Sequence, residues 1–210
     1  MSDTLAMAAP AADRQRQARE LQARARPLVA LATQLRRAAL ESPEGMKRAL
    51  AAAVERFERE LAAAGWEERS IVAASYALCV WVDEVVADTP WGAGGPSLLE
   101  RFHGERGGGD RVLRLLSRLA EQPQENQALL ELFHACLSLG LTGELRGAPE
   151  AAQQLEKLRT RVFLTLPQPG EAALSPGPES SLMAGDSRRA DRRHACRARG
   201  HAWWARPADR

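Results

Sequence analysis

Residues 71–109 read IVAASYALCVWVDEVVADTPWGAGGPSLLERFHGERGGG, and the opening of this stretch decides the fold. From Ile71 to Val82 nearly every side chain is apolar. Ile71, Val72, Leu78, Cys79, Val82, Val85 and Val86 line one side of a helix, and Ala73, Tyr76, Ala77, Val80 and Trp81 make the other side apolar as well. A helix that is apolar all round has neighbours all round. The run is shorter than the ~20 residues of a membrane-spanning helix, so it predicts a buried core helix over about 67–88. At Asp83 and Glu84 the pattern breaks. Both carboxylates extend rows that are apolar one turn earlier, and on a helix adjacent residues point about 100° apart. One of the two could instead be structural, paired with Arg146 or Arg101. Pro90 disfavours helical geometry at Thr89, which places the helix end there.

Outward from this rod the chain reads as further helices. Pro27 suits a helix start because it has no amide hydrogen to leave unpaired, and Leu28, Leu31 and Leu35 then share a face. Residues 1–24, rich in Ala, Arg and Gln, are expected to form a mobile arm, with helix allowed near its end, ahead of a helical domain at 25–166. Ser42-Pro43 opens a helix striped by Met46, Leu50, Val54, Phe57 and Leu61, with Glu55 and Arg59 as an exposed pair and Gly65 as the stop. Ser97 is placed to cap a short helix bearing Leu98, Leu99 and Phe102. Asp110 is the expected cap of a helix with Val112, Leu113, Leu116 and Leu119 inward. A second deeply buried helix is expected over 124–140, and Pro149 opens a last one with Ala151, Leu155, Leu158 and Val162 inward. No alternating pattern of useful length occurs, so the fold class is all-α.

The net charge of +2 conceals a division. Residues 1–40 carry +4 and residues 185–210 carry +5, which leaves −7 for 41–184. An acidic body argues against a nucleic-acid-binding core. Three cysteines, Cys79, Cys136 and Cys196, offer no disulfide framework and fit a reducing compartment. The N-terminus lacks the apolar core of a secretory signal. After Pro167 four prolines and an Arg, Ala and Gly mixture carry no periodicity, and 167–210 is expected to be a disordered tail.

No catalytic or cofactor motif emerges. Gly104 and Gly109 have the outer spacing of a phosphate-binding loop, but Asp110 stands where Lys is required and no strand precedes them. His103 has no Ser or Cys nucleophile nearby in sequence. His134 and Cys136 diverge on a helix, so they make no local metal pair. His194, Cys196 and His201 could hold only an adventitious metal. No cofactor, metal or small-molecule substrate is therefore expected. Trp91, beside Pro90, suits either a plug at the core edge or an anchor for a partner. Two rival functions remain, a helical hydrolase using Asp83 and Glu84 and a nucleic-acid binder working through the basic tail.

The order of Tyr76, Leu78-Cys79, Asp83-Glu84, Thr89-Pro90-Trp91-Gly92, Leu98-Leu99, Phe102-His103, Glu105 and Gly108-Gly109, continued by Leu129-Leu130-Glu131-Leu132, Cys136-Leu137, Leu139-Gly140, Gly143 and Arg146, resembles the TssL (DotU or IcmH-like) family of type VI secretion. The resemblance runs from about Pro27 to Val162. It implies two packed small helical bundles with a cleft between them, and a non-enzymatic component of the inner-membrane complex. It also implies association with a TssM-like membrane protein and docking of baseplate components, TssK-like and TssE-like, with a homodimer compatible. On this reading Asp83, Glu84, Trp91, His103, Glu105 and Arg146 form a preorganised partner-binding surface. The family carries one membrane-spanning helix near its C-terminus, and no run of that kind appears here, so the chain alone is expected to be soluble and cytoplasmic. A shifted reading frame in GC-rich coding DNA would produce such an ending. An apolar run of spanning length in another frame would support that, and its absence from both would exclude it.

Overall fold

The computed structural model describes residues 10–35, 43–92 and 97–166. Seven α-helices and one 3-10 turn occur among them: α1 (Ala11–Leu35), α2 (Pro43–Ala63), α3 (Glu68–Ala87), α4 (Leu98–His103), α5 (Gly109–Leu119), α6 (Gln127–Ser138), the 3-10 turn Gly143–Leu145, and α7 (Ala151–Thr165). No strand is found among the described residues, and the fold class is all-α as expected. Residues 1–9 and the expected tail from 167 onward lie outside the described residues.

α3 is the axis. Every residue from Ala73 to Val82 is buried, and α1, α2, α4, α5 and α6 all pack against it. The whole of α3, and the stretch Gln127–Leu145, are long and apolar enough to cross a membrane, although the run Ile71–Val82 alone is not. Their apolar surface is met from within: Trp81, Phe133, Leu78, Leu130 and Leu132 are almost completely enclosed by protein, the signature of core helices. Trp81 keeps its one polar atom paired, with Nε1 3.4 Å from the Leu139 carbonyl oxygen.

The first helix corrects the sequence reading. It begins at Ala11 rather than Pro27, so most of the expected mobile arm is helix packed against α6 and α2. Its buried stripe is Ala18, Leu21, Ala25, Leu28, Ala32 and Leu35, alternating steps of three and four. Half of that stripe is alanine, which the eye counts as a helix former rather than as core. Pro27 sits inside the helix on its exposed side, where the Ala23 carbonyl it leaves unpaired faces water.

Helix ends follow their local chemistry. At the end of α2, Gly65 adopts φ +83°, Gly65 N donates to Ala62 O, and Trp66 N donates to Leu61 O, the two bonds of a Schellman cap. Gly140 closes α6 the same way through Leu137 O and Cys136 O. The Ser97 hydroxyl caps α4 by accepting from Glu100 N, as expected. Asp110 does not cap α5: Gly108 is its N-cap, and Asp110 lies in the first turn, paired with Arg114. Nor does Glu55 pair with Arg59; it holds Arg101 of α4 at 3.0 Å. α6 starts at Gln127, later than the expected 124, after a turn. On α7 Val162 is buried and Ala151, Leu155 and Leu158 are half-buried, so the expected stripe faces inward while most of the rest of the helix is exposed.

Candidate functional site

The two adjacent carboxylates diverge, and each grips a different loop. Asp83 Oδ1 and Oδ2 accept from Leu98 N (2.8 Å) and Leu99 N (2.9 Å), the free amides at the start of α4. Glu84 Oε2 accepts from Thr142 N and Thr142 Oγ1, both 2.8 Å, and Oε1 accepts from Gly143 N at 2.7 Å, at the start of the 3-10 turn. Helix starts carry unpaired N–H groups and a partial positive charge, so a carboxylate placed there satisfies both. The sequence reading considered arginines as structural partners for these acids. Backbone amides take that role instead, while Arg146 pairs with Asp88 and reaches the Glu84 carbonyl oxygen at 3.5 Å. Burial pushes the Asp83 carboxyl above its usual range, and the Leu99 and Leu98 amides pull it back.

The turn after α3 folds onto the helix that precedes it. Thr89 Oγ1 donates to Val86 O at 2.6 Å, and Gly92 N donates to Thr89 O. A Cβ on Gly92 would lie 2.0 Å from the Val86 carbonyl oxygen, so no other residue fits that turn. Trp91 is half-buried, and its Nε1 is enclosed without an acceptor among the described residues.

Two turns back along α3 lies a second polar set. Ser75, fully buried, donates to Glu58 of α2, and its Oγ lies 3.3 Å from His103 Nε2. With its one hydrogen given to Glu58, Ser75 can only accept from the imidazole, which assigns the Nε2–H tautomer. Burial lowers the His103 pKa to about 4, with the nearby Glu105 opposing, so the ring is neutral at pH 7. The Tyr76 ring meets His103 edge-on at 5.1 Å, and its hydroxyl donates to Glu105 at 3.1 Å. Glu105 also pairs with Arg111. Burial, then the desolvated Ser75 contact that opposes it, leaves the Glu58 carboxyl raised. α4 is thus pinned at both ends to α3, by Asp83 at its start and by Ser75 and Tyr76 at its close, and runs antiparallel to it.

The six residues expected to form one surface therefore fall into separate places. Glu84 and Arg146 meet at the 140–148 turn, His103 and Glu105 meet around Tyr76, and Asp83 and Trp91 belong to the end of α3 and the turn after it. Asp83 also borders a groove of about 320 Å³ between the start of α2, the end of α3 and α4, floored by Leu50, Val86 and Leu98 and edged by Glu44, Lys47, Arg48 and Arg101. Sequence reasoning missed Thr142 and Gly143, the donors to Glu84, and the Glu58–Ser75 pair. A lone serine within an otherwise apolar rod is the signal that marks Ser75. Gly143, already among the residues that carry the family resemblance, shows its role only in three dimensions: its Cβ would lie 2.7 Å from the Gly109 carbonyl oxygen, and a Cβ on Gly109 would lie 2.8 Å from the Gly143 carbonyl carbon.

Comparison with known proteins gives this architecture a family. The family model described as type VI secretion system protein DotU matches residues 20–206, a wider span than the sequence reading assigned. The crystal structure of TssL from Vibrio cholerae superposes with a TM-score of 0.63 at 35% identity, covering 70% of this chain and 94% of that one. The cytoplasmic domain of TssL from Acinetobacter baumannii has a TM-score of 0.62 at 23% identity, covering 69% and 95%. SciP/TssL from enteroaggregative Escherichia coli 042 has a TM-score of 0.62 at 22% identity, covering 81% and 96%. Those last two likenesses speak for the fold alone. No curated protein matches. With its helices, their order and the matched span in agreement, the chain belongs to the TssL/DotU family of type VI secretion proteins.

Proposed function

We propose that this chain is a non-enzymatic adaptor of the type VI secretion membrane complex, and that it docks baseplate components (TssK-like, TssE-like) while associating with a TssM-like membrane protein. The observation that carries this is the division of labour at the end of α3, where neighbouring carboxylates tie α4 and the 140–148 turn to one helix. Loops fixed before binding lose little entropy on binding, which is what a docking surface needs. The same geometry disfavours the hydrolase reading. The oxygens of Asp83 and Glu84 are engaged with backbone amides in different directions, so the pair cannot flank a single substrate bond. Docking is assigned to the groove beside Asp83, where Lys47, Arg48 and Arg101 outnumber Glu44 and Asp83 around an apolar floor, a match for an acidic partner segment with apolar anchors.

The test is affinity capture of the full chain from secretion-competent cells. Arg48→Glu with Arg101→Glu changes exposed groove residues without touching the acids that hold the loops. The expected outcome is loss of baseplate components from the capture by a variant that remains folded, its stability lowered by no more than about 1 kcal/mol for the exposed Arg101–Glu55 pair. Undiminished capture by the folded double variant would refute docking at this groove.

A further inference from the structure

We propose that Glu55 is a built-in competitor for Arg101 of the docking groove, so that an acidic partner segment must take this guanidinium from Glu55 in order to bind it. This rests on the reading of the groove beside Asp83 as the docking site. Along α2 the groove is lined by Lys47, Arg48 and Ala51, and Glu55 lies one turn past Ala51 on the same row, outside the lining residues. From there its carboxylate reaches across to α4 and accepts from Arg101 Nη2 at 3.0 Å. That is one hydrogen bond from a group with five N–H donors, and the guanidinium makes no other hydrogen bond or ion pair among the described residues. The two side chains are 52% and 42% exposed, so water competes for the contact and breaking it costs little. Nor does α4 depend on it for its place, since Asp83 holds the start of that helix and Ser75 its close.

Charge chooses the occupant and the sign of the effect. Of the three cations at the rim, Lys47 has Glu44 at 3.9 Å and Arg101 has Glu55, whereas Arg48 makes no ion pair among the described residues. Both oxygens of Asp83 are turned to the Leu98 and Leu99 amides. An acidic segment entering the groove therefore meets Arg48 directly and Arg101 only by exchange with Glu55. An apolar or basic segment cannot make that exchange, and it leaves the pair closed. Glu55 thereby raises the requirement for binding: the segment's own acid must be held in position by apolar contacts with Leu50, Val86 and Leu98 before it displaces an acid that is already there.

The test titrates the immobilised full chain with the purified baseplate component that it captures, in about 0.1 M KCl, where exposed charges still act over roughly 10 Å. Glu55→Gln should tighten binding about two- to fivefold, the effect of one exposed ion pair that no longer has to be broken. The gain should fade toward about 1 M KCl as screening shortens to roughly 3 Å. In an Arg101→Gln background the same change should gain much less, because the competitor then has nothing to hold. Glu68→Gln, exposed at the far end of α3, removes an equal charge and should leave the affinity unchanged. With binding lost in Arg48→Glu, Arg101→Glu, a Glu55→Gln variant that binds no tighter than the parent, or gains equally without Arg101, overturns the proposal and leaves docking at the groove standing. Undiminished binding by that charge-reversed variant overturns both.

Discussion

Glu84 tests whether the acidic pair is scaffold or free surface. Its carboxylate accepts three hydrogen bonds from Thr142 and Gly143, and Gly143 is buried. Bonds to a charged acceptor contribute about 1.5–3 kcal/mol each and do not add fully, while an orphaned buried amide carries its own penalty, so Glu84→Ala should destabilise by roughly 3–5 kcal/mol. For a domain of this size, about 2–4 °C per kcal/mol makes that a fall of roughly 6–20 °C in Tm. Glu84→Gln is the informative partner. Its carbonyl oxygen can still accept from Gly143 N while its amide donates to Thr142 Oγ1, so only the Thr142 N bond is lost, at about 1–2 kcal/mol. Urea denaturation would measure both variants, and hydrogen exchange would show protection lost first at the amides of Thr142 and Gly143. A free, partner-facing carboxylate predicts the reverse, unchanged stability with lost capture. Glu84→Ala within about 0.5 kcal/mol of the parent, the range of an ordinary surface change, would refute the scaffold role.

Two further perturbations probe the same assembly. The His103 imidazole titrates near 4 when folded against 6.5 for the free side chain, so between those values the unfolded chain binds the extra proton and stability falls as pH drops, by up to about 3 kcal/mol. The raised carboxyls of Glu58 and Asp83 act in the opposite sense, gaining stability as pH falls; denaturation of His103→Gln from pH 7 to 4 should therefore lose the downward slope, and an unaltered slope would exclude His103 as its source. Gly109→Ala should destabilise by about 1–3 kcal/mol, because its Cβ would meet Gly143 and Glu144 backbone at 2.8 and 2.9 Å; a neutral effect on the denaturation midpoint would show that the two segments can separate freely.

What was legible in the sequence was whatever could be decided within one helix. The all-round apolar character of 71–82, the stripe from Leu50 to Leu61, the Ser97 cap and the stop at Gly65 all depend on residues a few positions apart, and the structure has each of them. Failures arose where the deciding partner is remote in sequence or small. The α1 stripe was hidden because Ala18, Ala25 and Ala32 are core only by virtue of the α2 and α6 surfaces they meet. Arg101 and Arg146 were weighed as mates for Asp83 and Glu84, yet Glu55 and Asp88 claim them, a choice that only the packing of α4 on α2 and of the 140–148 turn on α3 determines.

The same distinction explains why the six residues singled out as one surface sit in separate local settings. Adjacent positions on a helix point about 100° apart, poorly placed to act together and well placed to hold two things at a fixed angle. Asp83 directs the start of α4 to one side of α3, and Glu84 directs the 3-10 turn to the other, where Gly109 and Gly143 let α5 close against it. Both loops thus take their bearings from a single turn of a helix whose preceding ten residues are fully enclosed. A shift of α3 by one residue would rotate both carboxylates away from their amides at once, so the order of the loops rests on the packing of Trp81, Leu78 and their neighbours. On this argument core substitutions near Trp81 perturb docking through loop position even though none of those side chains reaches the surface.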